Sequence, residues 1–432
     1  MQIEWSKNLD LDMFQSILKV TDKEAHLESI NIEVKMDLPM DRDLVYFDNA
    51  ATTPVLSEVI QKMVPYLGCH FGNPSSQHSF GFKTASAVAK ARRHVANLIG
   101  SSPNEITFTS GGTEANNLAI KGCTSRLGIS DKDSTVVISS SIEHDSVLQS
   151  INSLKAHGFI VKFIGVNREG IIEIESLLEV LKRDRVILVS IMLANNEVGT
   201  IQPVKELARI THENSNALFH CDAVQALGKV PVNVKDLDVD LLSLSSHKIC
   251  GPKGVGAIYA RSRDLLIPLI DGGGQEKSLR SGTENVHGIV GFGEACRIAL
   301  EDLAENSNYV RELRDYLIDR VLSTIPRCLV NGAMNQRLPN NAHFSFLGVK
   351  GEDIIVKLNE HGIAASTGAA CSSNKSGPSH VLKAMGLSFM GIEGSLRLTL
   401  GPQNTAYEVK RVVSALDDII RELRKQSGFL KD

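Results

Sequence analysis

The chain has 432 residues, 42% hydrophobic and 22% charged, with a formal net charge of −4. That length accommodates two domains and a large core, and that charge balance excludes the basic footprint of a nucleic-acid or membrane-surface protein. No apolar run reaches the roughly 18 residues of a bilayer span, and seven cysteines without a C-x-x-C argue against a disulfide framework or a zinc site.

The start, MQIEWSKNLDLDMFQS, has no basic region followed by an apolar one and is too acidic for a transit peptide. A reducing cytoplasm is the expected compartment. Residues 1–44 form an acidic leader with scattered apolar residues, readable as a short amphipathic helix and a loop. Leu44 to Phe47 reads as a short strand. From 77 to 100, Val88, Ala91, Val95 and Leu98 fall at helical spacing and Gly100 is a natural stop. Strand EITFT (105–109) then meets Ser110-Gly111-Gly112-Thr113 and a helix from Glu114. That order suits an anion at a helix N-terminus, and it equally suits a plain strand-to-helix turn.

A strand–helix alternation follows. Strands are expected at 136–139, 161–165, 185–191, 217–220 and 239–244, with a helix over about 203–213. Near-continuous apolar strands of this kind build a mostly parallel sheet covered on both faces. Groups at the strand C-termini then converge on one edge, where open α/β sheets bind ligands: Thr113, His144, Asn196, Asp222 and Lys248. Asp222 ends a buried strand and needs a cationic or hydrogen-bonding partner, either a protonated ring nitrogen or the start of the next helix.

Lys248 stands out in DLDVDLLSLSSHKICGPKGVGAIYA (236–260). It follows a buried strand and a polar turn, and it precedes a glycine-rich loop and a second strand (255–259). A partly desolvated amine there suits a Schiff base with an aldehyde cofactor; a solvated loop lysine is the other reading. The loop precedes a strand and lacks G-K-[ST], which argues against a nucleotide P-loop. Further on, a long helix is expected around 285–305, with a domain boundary near 302 where shorter αβ units begin. Thr405 and Glu408 form a capping box, and Val409, Val412, Leu416, Ile419 and Leu423 form the apolar stripe of a last helix. Between them, the small, polar stretch around Cys371 should expose its thiol.

Taken together, FDNAATTPV, TSGGTEANN, SIEHDSV, NNEVG, HCDAVQALG, SSHKICGPKGVGAIY, RSGTENV, GAACSSNKSGPSHVLKAMG and SLRLTLG, in this order, resemble the pyridoxal-phosphate-dependent cysteine desulfurases, including those that supply sulfur for iron–sulfur cluster assembly. The resemblance runs from Val45 to the last helix. It implies the type I fold of pyridoxal-phosphate-dependent transferases: an α/β chain with a large mostly parallel-sheet domain (62–302) and a smaller α/β domain (45–61 and 303–432), preceded by the extension 1–44. It also implies a homodimer. Lys248 would hold pyridoxal 5'-phosphate, His144 would stack on its ring and move protons, Asp222 would pair with the ring nitrogen, and Gln225 would bond the phenolic oxygen. Gly112, Thr113, Ser245 and His247 would hold the phosphate, with Thr283 from the other subunit.

Asn196 and Arg397 would grip the carboxylate of L-cysteine. Cys371 would take the sulfur as a persulfide, leaving alanine, and pass it to a sulfur-acceptor or iron–sulfur scaffold protein. GAAC in place of the commoner G-S-A-C is also similar to selenocysteine lyases, which makes release of selenium the alternative activity. No metal, nucleic acid or membrane is implied.

Overall fold

The computed structural model describes residues 44–126, 134–368 and 377–429. The helix expected in the leader and the Cys371 stretch (369–376) lie outside these residues. The described residues belong to one compact unit, 37–432.

Its centre is a seven-stranded sheet in the order β2-β8-β7-β6-β5-β3-β4. The strands are β2 (Ile106–Thr109), β3 (Thr135–Ser140), β4 (Ile160–Ile164), β5 (Arg185–Met192), β6 (Leu218–Asp222), β7 (Leu241–Ser245) and β8 (Gly256–Ala260). Only β8 runs against its neighbours β2 and β7. β5 is buried at every position after Arg185, as its unbroken apolar run requires of a strand covered on both faces. The chain passes from β3 to the edge strand β4 and returns on the other side of β3 to lay down β5, β6 and β7. The crossing opens a crevice beyond the strands' carboxyl ends between β3 and β5.

The helices that cover this sheet follow from local pattern. α1 (Ser79–Leu98) buries Val88, Ala91, Val95 and Leu98, the stripe read from spacing. After β2, α2 starts at Gly112 rather than Glu114, with Gly111 as its cap. α3 (Asp145–Lys155) is capped by the His144 ring, and α4 (Val204–Asn214) follows β5.

A second sheet has the order β12-β10-β9, from β9 (Cys328–Val330), β10 (Asn341–Phe346) and β12 (Ser395–Thr399). Beside it β1 (Val45–Tyr46) pairs in parallel with β11 (Ile363–Ala364), and Asp48 bridges to Thr399. This sheet packs with α6 (Ala406–Gln426), whose capping box forms as read: Thr405 Oγ1 accepts from the Glu408 N–H and Glu408 Oε2 from the Thr405 N–H.

One helix, α5 (Val286–Thr324), joins the two regions. Its 39 residues make a rod of about 58 Å at 1.5 Å per residue. Ile289, Phe292 and Cys296 enter the core under the large sheet, and Val310, Leu317 and Val321 enter the core under the small one. The composition shift at 302 therefore marks a change of the core that one helix faces. Leu338, Val381, Leu382 and Met385, though later in the chain, pack into the first core. α5 lies close on α1 because residue 293 is glycine: a Cβ there would sit 2.5 Å from the Ala91 Cα. The helix begins at Val286 under an Asn285 cap, so Thr283 lies in the preceding loop and opens no helix. No helix among the described residues is long and apolar enough to cross a membrane.

Candidate active site

The carboxyl ends of β2, β3, β5, β6 and β7 surround a cavity of ≈ 230 Å³. Gly112, Thr113, His144, Asn196, Asp222, Gln225, Ser245, His247, Lys248 and Arg397 all line it. They come from six separate stretches of chain, and the strand order brings them together.

Asp222 is the last residue of β6 and is buried. Its Oδ1 accepts from the Val224 N–H at 3.0 Å and its Oδ2 from Asn116 Nδ2 at 2.8 Å. It therefore does cap the following turn, and it faces the cavity as well. Asn116 spends its other amide hydrogen on Ser146 Oγ, also at 2.8 Å. Ser146 in turn touches His144 Nδ1 twice, through Oγ at 2.8 Å and through its N–H at 3.1 Å. With Nδ1 accepting from a backbone N–H, the neutral imidazole carries its proton on Nε2. Asn116 and Ser146 were not singled out in the sequence, although both lie inside motifs quoted above. Nothing local marks them, because each matters through a partner far along the chain.

Lys248 follows β7 in a single 3-10 turn and is buried. Its Nζ donates to the carbonyls of Ala50 and Ala51, each at 2.6 Å. Gln225 Nε2 donates to the same Ala50 oxygen at 3.0 Å, while its buried Oε1 has no protein partner. The turn after β1 is thus a shared rest for both side chains, pinned by the Tyr46 hydroxyl on Thr52 O at 2.9 Å.

At the other end, Gly112 begins α2 and packs so closely on Val224 that a Cβ would lie 2.8 Å from its methyl. Thr113 is exposed at the mouth, Ser245 is buried, and His247 Nδ1 lies 3.2 Å from Thr52 Oγ1. Burial, with the charges of Lys248, Lys253 and Lys229, pushes the His247 imidazole down to about 4, so it is neutral near pH 7. An N-terminal turn, two hydroxyls and a neutral imidazole make a donor set for a phosphate.

Arg397, on β12, reaches in from the small sheet and is almost wholly buried. Nη1 donates to Asn196 O at 2.7 Å and Nη2 to Asp48 Oδ1 at 2.8 Å, while Nε has no protein partner. Two buried acids lie beside the site. Burial pushes the Glu143 carboxyl up to about 8, and Glu197, whose Oε2 accepts from Ser379 Oγ at 2.5 Å, is also raised by burial. Thr283 is exposed and lies outside the cavity of its own chain. Cys371 lies outside the described residues. Of the other cysteines, Cys123, Cys221 and Cys296 are buried, and burial pushes the Cys123 thiol up to about 12. Cys69 is exposed, and Cys250 and Cys328 are partly buried.

The residues present fit pyridoxal phosphate. An amine for its aldehyde, a carboxylate for its ring nitrogen, an imidazole for its face and phosphate donors line one cavity, and the unpartnered Gln225 amide oxygen awaits a polar neighbour. Fold and site together define a pyridoxal-phosphate enzyme of the type I transferase fold. Residues 45–412 match the family model "Aminotransferase class-V". A cysteine desulfurase IscS of Dictyoglomus turgidum is 46% identical over 90% of this chain and 97% of its own length. One of Methanosarcina thermophila is 47% identical over 89% and 93%. Among solved structures, a NifS-like protein superposes with a TM-score of 0.82 at 38% identity, covering 88% of this chain and all of its own. A NifS-like protein from Rickettsia africae gives 0.76 at 33%, covering 88% and 99%. The chain belongs to the class-V aminotransferase family, as one of its pyridoxal-phosphate-dependent cysteine desulfurases.

Proposed function

We propose that this cavity turns L-cysteine into L-alanine, with sulfur leaving as a persulfide on Cys371 for an acceptor protein of iron–sulfur cluster or related cofactor assembly. The observation that carries the reading is the meeting of Lys248, Asp222, His144 and Arg397 in one cavity. When bound, the cofactor supplies an electron sink for charge developing at the substrate Cα. Lys248 anchors it, and Gly112, Thr113, Ser245 and His247 hold its phosphate. Asp222 keeps a positive charge on the ring nitrogen, with Asn116 fixing the direction of its carboxylate. Gln225 bonds the phenolic oxygen from beside Lys248. Arg397, with Asn196, orients the substrate carboxylate. His144 holds a proton on Nε2 and delivers it into the cavity.

The homodimer belongs to the same proposal, with Thr283 serving the partner's phosphate. Two features support it: Thr283 lies outside its own cavity, and Leu67, Phe71, Phe80 and Phe82 are exposed, with the Phe71 and Phe80 rings 5.4 Å apart. The large (62–302) and small (45–61, 303–432) domains and a cytoplasmic location are likewise proposed.

The test is incubation with L-cysteine and a reductant, scoring alanine and sulfide together. Both should appear in equal amounts. Lys248→Ala should abolish both, and Cys371→Ser should keep the yellow cofactor while releasing no sulfide. Sulfur retained on the exposed Cys69 instead would overturn the assignment of Cys371. Turnover of selenocysteine without turnover of cysteine would point to the lyase activity.

A further inference from the structure

A second cavity, of ≈ 310 Å³, lies on the other side of Lys248, and Lys229 lines it. Lys229 has no role in the chemistry above. It stands four residues after Gln225, at the end of the turns that follow β6. Its Nζ donates to the Gln225 carbonyl at 2.9 Å and to the Lys248 carbonyl at 3.3 Å. One amine thus ties together the main chain of two residues whose side chains share the Ala50 carbonyl on the opposite face.

A lysine here is a costly way to hold two carbonyls. No carboxylate among the described residues lies within ion-pair distance of it. Asp302 of α5 lines the same cavity, yet the α5 group that touches Lys229 is the Ser307 hydroxyl, which donates to its main-chain oxygen at 2.6 Å. The other titratable groups that face it come from the stretch after β7: Lys248, His247 and Cys250. Burial first, and the Lys248 charge second, push the Lys229 amine down to about 7, with Cys250 acting weakly in the other direction. Coulomb coupling is mutual, so a proton on Lys229 equally opposes one on Lys248.

We propose that Lys229 is a positioning residue for the cofactor-anchoring lysine: it fixes the main chain of Lys248 and Gln225 from behind the cavity, and its charge opposes a proton on the Lys248 nitrogen. The inference rests on the reading of Lys248 as the anchor. It makes the two amines a linked pair. When Lys248 is covalently engaged, its nitrogen is uncharged above the spectral midpoint; there one cause depressing Lys229 is gone, and Lys229 holds its proton more firmly. A residue kept only for stability would behave otherwise. Because its amine is depressed in the folded protein, Lys229 costs stability below the ordinary lysine range, and the cost is fully present below about pH 7.

The experiment uses the holoenzyme loaded with pyridoxal phosphate, in wild type, Lys229→Met and Lys229→Arg. Three quantities are read: the pH midpoint of the bound cofactor's visible band, which follows the proton on the Lys248 nitrogen; the pH profile of kcat/KM for L-cysteine; and the thermal midpoint at pH 7. Lys229→Met should raise the spectral midpoint by about one pH unit and lower kcat/KM about ten-fold, with a thermal midpoint unchanged or higher. Lys229→Arg should restore the spectral midpoint. A spectral midpoint and a kcat/KM in Lys229→Met within about two-fold of wild type overturn the proposal. So does equal loss in Met and Arg variants with a lowered thermal midpoint, which marks a structural role. If Lys229→Met does not fold, Lys229→Gln keeps a donor without the charge, and an unshifted spectral midpoint there overturns the electrostatic half. Borohydride reduction and mass mapping of wild type separate the underlying reading: an adduct on a lysine other than Lys248 sinks the anchor assignment itself.

Discussion

At the scale of single residues, the site depends on polar groups that carry no chemistry of their own. Asn116 aims both the Asp222 carboxylate and, through Ser146, the His144 ring. Asn116→Ala leaves a buried carboxylate with one donor fewer, a loss of about 1.5–3 kcal/mol for a hydrogen bond to a charged group. We expect kcat/KM for L-cysteine to fall by about ten- to a hundred-fold, with cofactor still bound; unchanged kinetics would remove Asn116 from the machinery. Glu143 makes a prediction in pH. Its carboxyl is raised to about 8, chiefly by burial, so the folded protein keeps its proton where the unfolded chain has lost it. The group therefore costs stability, increasingly from the ordinary carboxylate range up to about pH 8 and constantly above it. Glu143→Gln removes that cost. The difference in thermal midpoint, variant minus wild type, should grow between pH 5 and 8 and level off beyond; a flat difference would show that the carboxyl does not titrate in this window.

At the scale of elements, what the sequence made legible is what local rules write. β5 was readable from its unbroken apolar run, α1 and α6 from their stripes, and the α6 cap from Thr405 and Glu408 alone. Thr405→Ala should cost about 1 kcal/mol, read as a lowered denaturant midpoint with kcat unchanged, because neither Thr405 nor Glu408 lines the cavity. Less legible were β9, β10 and β12, whose pairing depends on partners tens of residues away, such as Arg397 beside His343. The true length of α5 was hidden for a related reason. Its buried face changes partner along the helix, so its composition changes where the helix does not end. The site itself was legible as motifs at strand ends, and ten of its expected residues do line one cavity. The joining network was not, since Asn116 and Asp222 are 106 positions apart. Nor could spacing show that Arg397 already holds Asp48 in an ion pair.

At the scale of the whole molecule, two features bear on the proposed homodimer. Phe71 is 74% exposed and Phe82 62%, close to Phe80 and Leu67 in sequence, in a segment that also carries the exposed Cys69. Exposed rings in such a cluster are uncommon on a monomer and mark a contact surface. Thr283, meanwhile, stands outside its own cavity on a loop held firmly to the large sheet. Arg280 reaches Glu114 of α2 at 3.0 Å, and Glu276 is clamped by Arg92 and by the Phe108 N–H. A loop anchored this well, with a hydroxyl its own site does not use, suits service to a second copy. Replacing Phe71 and Phe80 together by Ser removes apolar area only from the surface, so the fold should persist with a circular dichroism spectrum like that of wild type. Sedimentation should then shift from dimer to monomer, and the monomer should bind pyridoxal phosphate more weakly because its phosphate has lost a donor. Thr283→Ala should weaken the cofactor in the same sense while leaving the dimer intact. A double variant that stays dimeric would place the contact surface elsewhere, and a fully active monomer would remove the shared site altogether.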